Sequence, residues 1–254
     1  MQRIAADLHI HTVLSPCAAR DMTPRAIVRA AVARGLEMIA VCDHNTAGNA
    51  AAVAEAAART PGGPTVICGI EITTVEEVHV LGWFPGAAEA EAAGDEVLSG
   101  LPPWRPFAPR TSPAGNRLPD QQVMDADDRC IAIEGRMLAA ASRFDLGAVV
   151  DLIHRHGGIA VAAHMDRRSF SVPGQLGFLP PDVPFDGLEI SSAGVSAGEH
   201  ERFACHGLPL VSSSDSHFLQ EIATGLTALL LERPCFDELA LALRGAEGRG
   251  CAIA

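Results

Sequence analysis

The chain has 254 residues, 48% of them hydrophobic, and a formal net charge of −12; this length suits one domain, and the hydrophobic content argues against disorder. It contains no lysine and no tyrosine, which excludes Schiff-base chemistry, a P-loop lysine and tyrosine acid–base catalysis. The acidic charge weighs against long nucleic acid as a partner, and the lack of a signal peptide and of a membrane-spanning apolar run predicts a cytoplasmic protein that does not bind membranes.

Short β-rich runs alternate with helical stretches along the chain, which favours an α/β fold with parallel strands. The first helix has a clear start signal, because Thr23 can cap it and Pro24 takes the first helical position, while Gly35 can end it. The predicted strands cover residues 4–11, 37–43, 65–73, 78–84, 158–164, 187–191 and 209–214, with a further candidate at 225–231. The predicted helices cover residues 23–35, 46–59, 145–156, 196–206 and 234–245.

Residues 85–143 interrupt this alternation. They include the stretch "SGLPPWRPFAPRTSPAGNRLPD", whose proline, glycine and arginine content is typical of a loop. A long irregular segment in a compact domain is usually a lid, a binding loop or disordered. We therefore predict a single domain over residues 1–254, with 85–143 as an inserted lid or loop.

Polar side chains recur at or just after the predicted strands. His9 and His11 are two residues apart in the first strand and therefore face the same way. A lone histidine or carboxylate in such a place is more often structural, but burying many of them is costly unless they are paired or bind metal. In α/β barrels the C-terminal ends of the strands converge on the active site. The candidates are His9, His11, Asp43, His44, Glu71, His79, His164, Asp215 and His217.

This number of histidines and carboxylates exceeds what one metal ion can use, and the ligand types suit Zn, Mn or Fe. The pattern therefore predicts two to three divalent ions. Such ions lower the pKa of bound water and neutralise phosphoryl oxygens. The favoured function is a metal-dependent phosphoesterase, in which metal-bound hydroxide attacks the phosphorus of a small phosphorylated metabolite such as a nucleotide or a sugar or amino-alcohol phosphate. Two alternatives stay open: a non-catalytic metal-binding module, and metal-dependent hydrolysis of a C–N or C–O bond.

The motifs "DLHIHT", "VCDHN", "GIE", "VHVLG", "AAH" and "SSDSH", in this order, resemble the PHP (polymerase and histidinol phosphatase) superfamily. The resemblance covers most of residues 5–84 and 145–225. It implies a distorted (β/α)7 barrel, here with an insertion after the fourth strand, and a trinuclear metal site. By motif position, one ion would be held by His9, His11, Glu71 and Asp215, a second by Glu71, His79 and His164, and the third by His44 and His217.

The chain departs from the superfamily at Cys17, six residues after His11. Many members supply a further histidine or aspartate to the third ion at about this point. Cys17 is either a thiolate ligand, which would favour Zn or Fe at that site, or a buried cysteine beside it. The seven cysteines include no CxxC pair, so they do not indicate a disulfide framework.

Three arginines are candidates for substrate binding, because guanidinium pairs well with phosphate. Arg20 follows the first ligand strand, and Arg167 and Arg168 follow His164. The alternative is that they are solvated loop residues, above all Arg168.

Two carboxylates and one of these arginines have further predicted roles. Asp43 and Arg167 are candidates for direct catalytic roles. Asp7 and Asp43 also suit positions behind the metal ligands, where a carboxylate can orient a ligating histidine.

Overall fold

The computed structural model describes residues 1–104 and 120–254, and within these ranges eleven strands alternate with eight α-helices. The strands are β1 (Gln2–Ile10), β2 (Met38–His44), β3 (Thr65–Thr73), β4 (His79–Phe84), β5 (Gln122–Met124), β6 (Cys130–Ile133), β7 (Ile159–Ala162), β8 (Gly187–Ser191), β9 (Leu210–Ser213), β10 (Thr227–Leu231) and β11 (Gly250–Ile253). The helices are α1 (Pro24–Ala33), α2 (Ala50–Ala58), α3 (Ala87–Gly100), α4 (Leu146–Arg155), α5 (Val172–Leu176), α6 (Ser192–Ser196), α7 (His200–Phe203) and α8 (Phe236–Leu243). None of the helices in the described ranges is long and apolar enough to cross a membrane.

Nine strands form one nearly closed, barrel-like sheet in the order β11-β10-β1-β2-β3-β4-β7-β8-β9, and β5 and β6 form a separate hairpin. A parallel bridge between Ile10 and Ser216, which follows β9, joins the two sides of the barrel. The predicted α/β barrel is therefore confirmed. Pro24 is the first residue of α1, as predicted, although the side chain of Thr23 makes no capping hydrogen bond. The predicted helix at 196–206 is divided, and Gly198, with a φ of 77°, separates α6 from α7.

The expected parallel pairing holds only for part of the sheet. β4 runs antiparallel to both β3 and β7, and β10 runs antiparallel to both β1 and β11. The reason is the length of the connection, because the few residues between Thr73 and His79 can form a hairpin but not a crossover to a parallel strand. His79 therefore lies at the start of β4, beside the C-terminal end of β3.

The inserted segment is more regular than its composition indicated. Its first part is α3, an alanine-rich helix that buries Ala90, Ala93 and Val97, and alanine is the strongest helix former. Its last part contains the β5–β6 hairpin. Within the Pro-rich stretch, residues 105–119 lie outside the described residues. The interpretation of 85–143 as a lid stays a prediction.

The side chains of the strands divide between two large apolar clusters. One cluster packs between the sheet and the surrounding helices and includes Ile39, Val41, Ile70 and Val80. The other cluster is enclosed by the barrel. It contains the side chains at the alternate positions of the same strands and apolar side chains of α8. Its strand residues include Ile4, Ala6, Leu8, Met38, Ala40, Cys42, Ile67, Leu81, Trp83, Val161, Val211, Leu229 and Leu231. Because alternate side chains share a face, the inward rows of these strands lead to one end of the barrel interior.

Candidate metal centre

The candidate site lies where these inward rows pass from apolar to ligand-type side chains. On β2, Cys42 is inside the barrel and His44 is the next inward position. On β3, Glu71 continues the inward row of Ile67. On β4, which runs the other way, His79 precedes the inward Leu81. Three strands thus deliver a carboxylate and two imidazoles to one layer.

Glu71 is the centre of this layer. Its Oε1 atom lies 2.7 Å from Nδ1 of His79 and 3.2 Å from Nε2 of His164. Its Oε2 atom lies 2.8 Å from Nδ1 of His44. The carboxylate is only 1% exposed, so it depends entirely on these neighbours or on a bound cation for stabilisation.

A bulge in β1 turns two more histidines toward Glu71. The pairing of β1 with β2 shifts register between Asp7 and Ile10. Leu8 packs inside the barrel, whereas Ile10 packs against the helices. The alternation therefore reverses across the bulge, and His9 and His11 both face the interior.

Asp215 completes the group around these two imidazoles. The Nε2 atoms of His9 and His11 are 3.2 Å apart. Oδ1 of Asp215 lies 3.1 Å from Nε2 of His11 and 3.4 Å from Nε2 of His9. Nε2 of His9 is also 3.6 Å from Oε1 of Glu71. Two imidazole nitrogens and two carboxylates therefore face one small volume.

Two of the candidate ligands have a strained backbone. His164 has a φ of 30° and Asp215 a φ of 50°, the left-handed region that costs a non-glycine residue about 1–3 kcal/mol. The amide of His164 is held by Oε2 of Glu189 at 3.0 Å. Next to Asp215, the amide of Ser216 donates to the carbonyl of His9 at 3.3 Å. Strain of this kind persists only where the surroundings enforce it, and it redirects both side chains at the strand ends.

The donor set fits divalent ions. Three groups of ligand atoms each lie within 4.8 Å of one another: His9, His11, Glu71 and Asp215; His44, Glu71 and His79; and His11, His44 and His217. The first group has the same members as the set that the motifs implied for one ion. In the second group His44 stands in place of His164, which belongs to none of the three groups, and in the third His11 joins His44 and His217. Oε2 of Glu71 is buried and, although it lies 2.8 Å from Nδ1 of His44, makes no well-aligned hydrogen bond, and a coordinated ion would satisfy it.

Burial and mutual charge determine the protonation of this cluster. Burial raises the pKa of Glu71, but the charges of His79, His44 and His9 outweigh it and hold the pKa well below the usual range. Burial is also the largest influence on His11 and, with the positive charge of His217 and His44, it holds the pKa of His11 well below its usual value. For His9, burial is outweighed by Glu189, Asp215 and Glu71, which raise its pKa well above normal. A metal ion that binds here would therefore displace protons.

Glu189 is a further candidate residue of the site, which the sequence analysis did not single out. Both of its carboxylate oxygens lie 3.2 Å from Nδ1 of His9, on the side of the ring away from Glu71. It is 1% exposed and sits in the middle of the apolar strand β8. The signal was a lone carboxylate in "GLEIS", the same kind of signal that identified His79. Unlike most of the other candidates, Glu189 lies in the middle of its strand and not at its C-terminal end.

Asp43 lies behind the ligands and does not line the cavity. It faces the opposite side of β2 from His44, and its oxygens accept hydrogen bonds from the amide and hydroxyl of Thr12 at 2.8 and 2.7 Å and from Oγ of Ser15 at 2.6 Å. Oγ of Ser15 is in turn 3.0 Å from Nδ1 of His11. This position does not support the direct catalytic role predicted for Asp43, but it suits a role in orienting His11 through Ser15.

The prediction that Asp7 orients a histidine is wrong. Because the bulge reverses the alternation, Asp7 does not share a face with His9. Its carboxylate accepts hydrogen bonds from the amides of Ser214 at 3.0 Å and Ala223 at 2.8 Å. Burial raises the pKa of Asp7 to about 6, against the opposing effect of these hydrogen bonds. Asp7 therefore fixes the segment that carries Asp215.

A cavity of about 440 Å³ opens onto the ligands, and Arg167 and Arg168 line it together with Phe170. The guanidinium of Arg167 also forms an ion pair with Oδ2 of Asp215. Two of the three predicted substrate arginines are thus at the site. Arg20 is exposed and does not line this cavity, so the structure does not bring it to the ligands.

Cys17 borders the same cavity, beside the candidate ligands His44 and His217. Burial raises the pKa of its thiol, but hydrogen bonds with His217 and His44 outweigh this and lower the pKa to about 7. The amide of Ala19 donates to the carbonyl of His217 at 2.9 Å, which folds the segment after β1 back toward the site. Cys17 is exposed and belongs to none of the three groups of ligand atoms, so the structure brings it to the border of the site and its role as a ligand stays a prediction.

We expect Cys17→Ser to lower the metal content by about one equivalent, because serine replaces a thiolate next to His44 and His217 with a weaker ligand. Cys17→His or Cys17→Asp should partly restore it. Elemental analysis after reconstitution with Zn measures the change, with Cys205→Ser, an exposed cysteine elsewhere, as the matched control. Full metal content in Cys17→Ser would show that Cys17 is a packing residue.

Comparison with known proteins gives one family and several solved structures of similar fold. The family model of the PHP domain matches residues 7–177, and no curated protein matches the chain. A lesion-specific endonuclease from Pyrococcus furiosus has a TM-score of 0.71 at 17% identity, and an Endonuclease Q complex with a 27-mer duplex substrate has 0.70 at 18%; each alignment covers 98% of this chain and 58% of the other. A protein described as a metal-dependent phosphoesterase, from Bifidobacterium adolescentis, has 0.57 at 21%, covering 84% and 87%.

The expectation that excluded long nucleic acid from the partners is wrong. It depended on the net charge of −12, yet a protein with a similar fold was determined with duplex DNA that carries an abasic lesion at its active site. Net charge describes the whole surface, whereas binding depends on the charge around the site. The present chain spans 58% of the length of that endonuclease chain.

Proposed function

The chain belongs to the PHP family of metal-dependent hydrolases, and we propose that it is a phosphoesterase with two to three divalent ions of Mn, Fe or Zn. The observation that carries this proposal is the cavity in which a buried carboxylate, Glu71, is surrounded by histidines while two arginines occupy the wall. Ligands for several cations and guanidinium groups for an anion in one cavity match the charge distribution of a phosphoester.

The proposed ligands divide among the ions as follows. His9, His11, Glu71 and Asp215 hold one ion, and Glu71 is shared with a second that His79 and His164 also hold. His44, His217 and Cys17 hold a third. When bound, such ions lower the pKa of coordinated water and stabilise the charge that develops on a phosphoryl group.

Arg167 and Arg168 bind the remaining phosphoryl oxygens in this proposal. Arg167 lies against Asp215, so its guanidinium borders the ligand cluster. A guanidinium can donate two parallel hydrogen bonds to phosphate, which fixes orientation as well as charge. Arg167 is thus the proposed catalytic arginine, Arg168 contributes to binding, and Glu189 and Asp43 are positioning residues for His9 and His11.

The preferred substrates are small phosphorylated metabolites, such as nucleotides and sugar or amino-alcohol phosphates. Trp104 and Met137, two described residues of the inserted segment, line a second cavity that adjoins the first, and in this proposal they border the substrate site. Since an endonuclease of similar fold acts on duplex DNA, phosphodiesters in nucleic acid belong in any test of the substrate class.

The proposal predicts two to three equivalents of transition metal per chain and Mn-dependent release of phosphate from at least one phosphomonoester. The test is a panel of phosphomonoesters, phosphodiesters, duplex DNA with an abasic site, and amides, with reconstituted protein. Cleavage of any phosphoester supports the proposal, and the panel identifies the class. Fewer than one equivalent of metal after reconstitution, or hydrolysis of amides alone, would overturn it.

A further inference from the structure

A second cavity, of about 360 Å³, adjoins the metal cavity. The two share Cys17, His44, His79 and Phe170 as a border. Beyond this border, none of the described residues that line the second cavity has an ionisable side chain; they include Trp104, Met137 and Ala139. A group that enters from the metal cavity would therefore meet an uncharged, largely apolar surface.

The wall of this cavity is fixed relative to the ligands. The side-chain amide of Asn45, which directly follows His44, donates to the carbonyls of Leu138 at 2.8 Å and Ala140 at 2.9 Å. Its oxygen accepts from the amide of Thr73 at 2.9 Å. The segment that carries Met137 and Ala139 is thus tied to the ends of β2 and β3.

Trp104 is attached to the same segment. Its amide donates to the carbonyl of Gly135 at 2.6 Å, and Pro103 forms an antiparallel bridge with Arg136. The amide of Met137 donates to the carbonyl of Pro102 at 2.9 Å. The backbone segments that carry the indole of Trp104 and the thioether of Met137 are therefore hydrogen-bonded to each other.

Phe170 supplies an aromatic ring at the border. It stacks on the imidazole of His79 with the centroids 4.5 Å apart and an interplanar angle of 20°. The residue is 41% exposed, so this stacking leaves part of its surface accessible. Its φ of 60° and the hydrogen bond from the amide of His79 to its carbonyl, at 2.8 Å, fix its position.

We propose that this second cavity, the ring cavity, binds a flat, uncharged ring of the substrate while the phosphoryl group occupies the metal cavity. Two aromatic side chains and a thioether favour a ring, because offset stacking and sulfur–aromatic contacts add to apolar burial. The ring would be an aryl group or a nucleobase, which share this chemistry. This inference rests on the proposed phosphoesterase function, and it makes Trp104 and Phe170 specificity-determining residues.

The kinetic test compares substrates that differ only in the ring. In the wild-type protein, kcat/KM for benzyl phosphate should exceed kcat/KM for methyl phosphate. If the ring is a nucleobase, kcat/KM for thymidine 5′-monophosphate should exceed kcat/KM for ribose 5-phosphate. Trp104→Ala should reduce the ratio of kcat/KM for the substrate with the ring to kcat/KM for the substrate without it by about ten-fold, which corresponds to about 1.4 kcal/mol. Trp104→Phe, which keeps a ring, should largely retain it, and Phe178→Ala, an exposed aromatic outside both cavities, should not change it.

A binding test separates this inference from the proposed function. The chain has two tryptophans, and Trp83 is fully buried inside the barrel. Titration of the full chain with thymidine or benzyl alcohol, which carry no phosphate, should therefore quench Trp104 fluorescence, and the quenching should be absent in Trp104→Phe. Quenching without hydrolysis of any phosphoester would contradict only the function. An unchanged substrate ratio in Trp104→Ala, or no quenching with either ring compound, would overturn the ring cavity.

Discussion

Glu71→Gln is expected to lower kcat for phosphoester hydrolysis by at least about 10³-fold, a loss of about 4 kcal/mol of transition-state stabilisation. The carboxylate contacts His44, His79 and His164 through both oxygens. Among the described residues it is the only carboxylate that belongs to two of the three ligand groups. Glutamine has nearly the same shape but lacks the charge that balances bound cations. The variant should therefore also lose at least one equivalent of metal by elemental analysis, while its circular dichroism spectrum stays that of the folded protein.

Glu238→Gln is the matched control for this variant. Glu238 is also buried, at 7% exposure, but it lies on α8 and pairs with Arg249, away from the ligands. This control should keep both its metal content and its activity. If Glu71→Gln retains most of the wild-type rate with full metal content, Glu71 does not bridge the ions.

The strands and the side chains that cluster at their ends could be predicted because both follow from local patterns. Buried strands require apolar residues at alternate positions, and a histidine or glutamate that continues such a row is visible in the sequence, as at Glu71 in β3. β2, β3 and β4 begin and end within a residue or two of their predicted bounds. The antiparallel direction of β4 could also have been predicted from the sequence, because the short segment before His79 permits only a hairpin.

The errors in the prediction have non-local causes. The bulge in β1 depends on how this strand pairs with β2. Regular alternation would place Asp7 on the same face as His9, whereas in the structure the two side chains lie on opposite faces. The position of Asp43 also depends on contacts between distant residues. Its carboxylate accepts hydrogen bonds from Thr12 and Ser15, which follow a different strand. The apolar wall formed by Met137 depends on Asn45, more than ninety residues earlier, whose side chain binds the carbonyl of Leu138.

Glu189 is a buried carboxylate that contacts two of the candidate ligands. A carboxylate at 1% exposure is unfavourable unless it is paired, and the partner here is Nδ1 of His9. Fixing a proton on Nδ1 leaves Nε2 free to face the cluster, so Glu189 determines which nitrogen of His9 can bind a cation. The same carboxylate holds the strained amide of His164 through Oε2. One residue outside the ligand set therefore supports two members of it.

Glu189→Gln is accordingly expected to weaken the binding of one metal ion by about 10–100-fold, the range typical of losing a partner behind a ligating histidine. Glutamine can still accept one hydrogen bond, but it cannot stabilise positive charge on His9 or serve both His9 and His164 as an ionised carboxylate. The measurement is a titration of the metal-free variant with Mn, followed by both bound metal and activity. Excess Mn should restore activity in Glu189→Gln but not in Glu71→Gln, because the first loses affinity and the second loses a ligand. Unchanged Mn affinity, or a loss of activity that excess Mn does not restore, would show that Glu189 does not act by orienting His9.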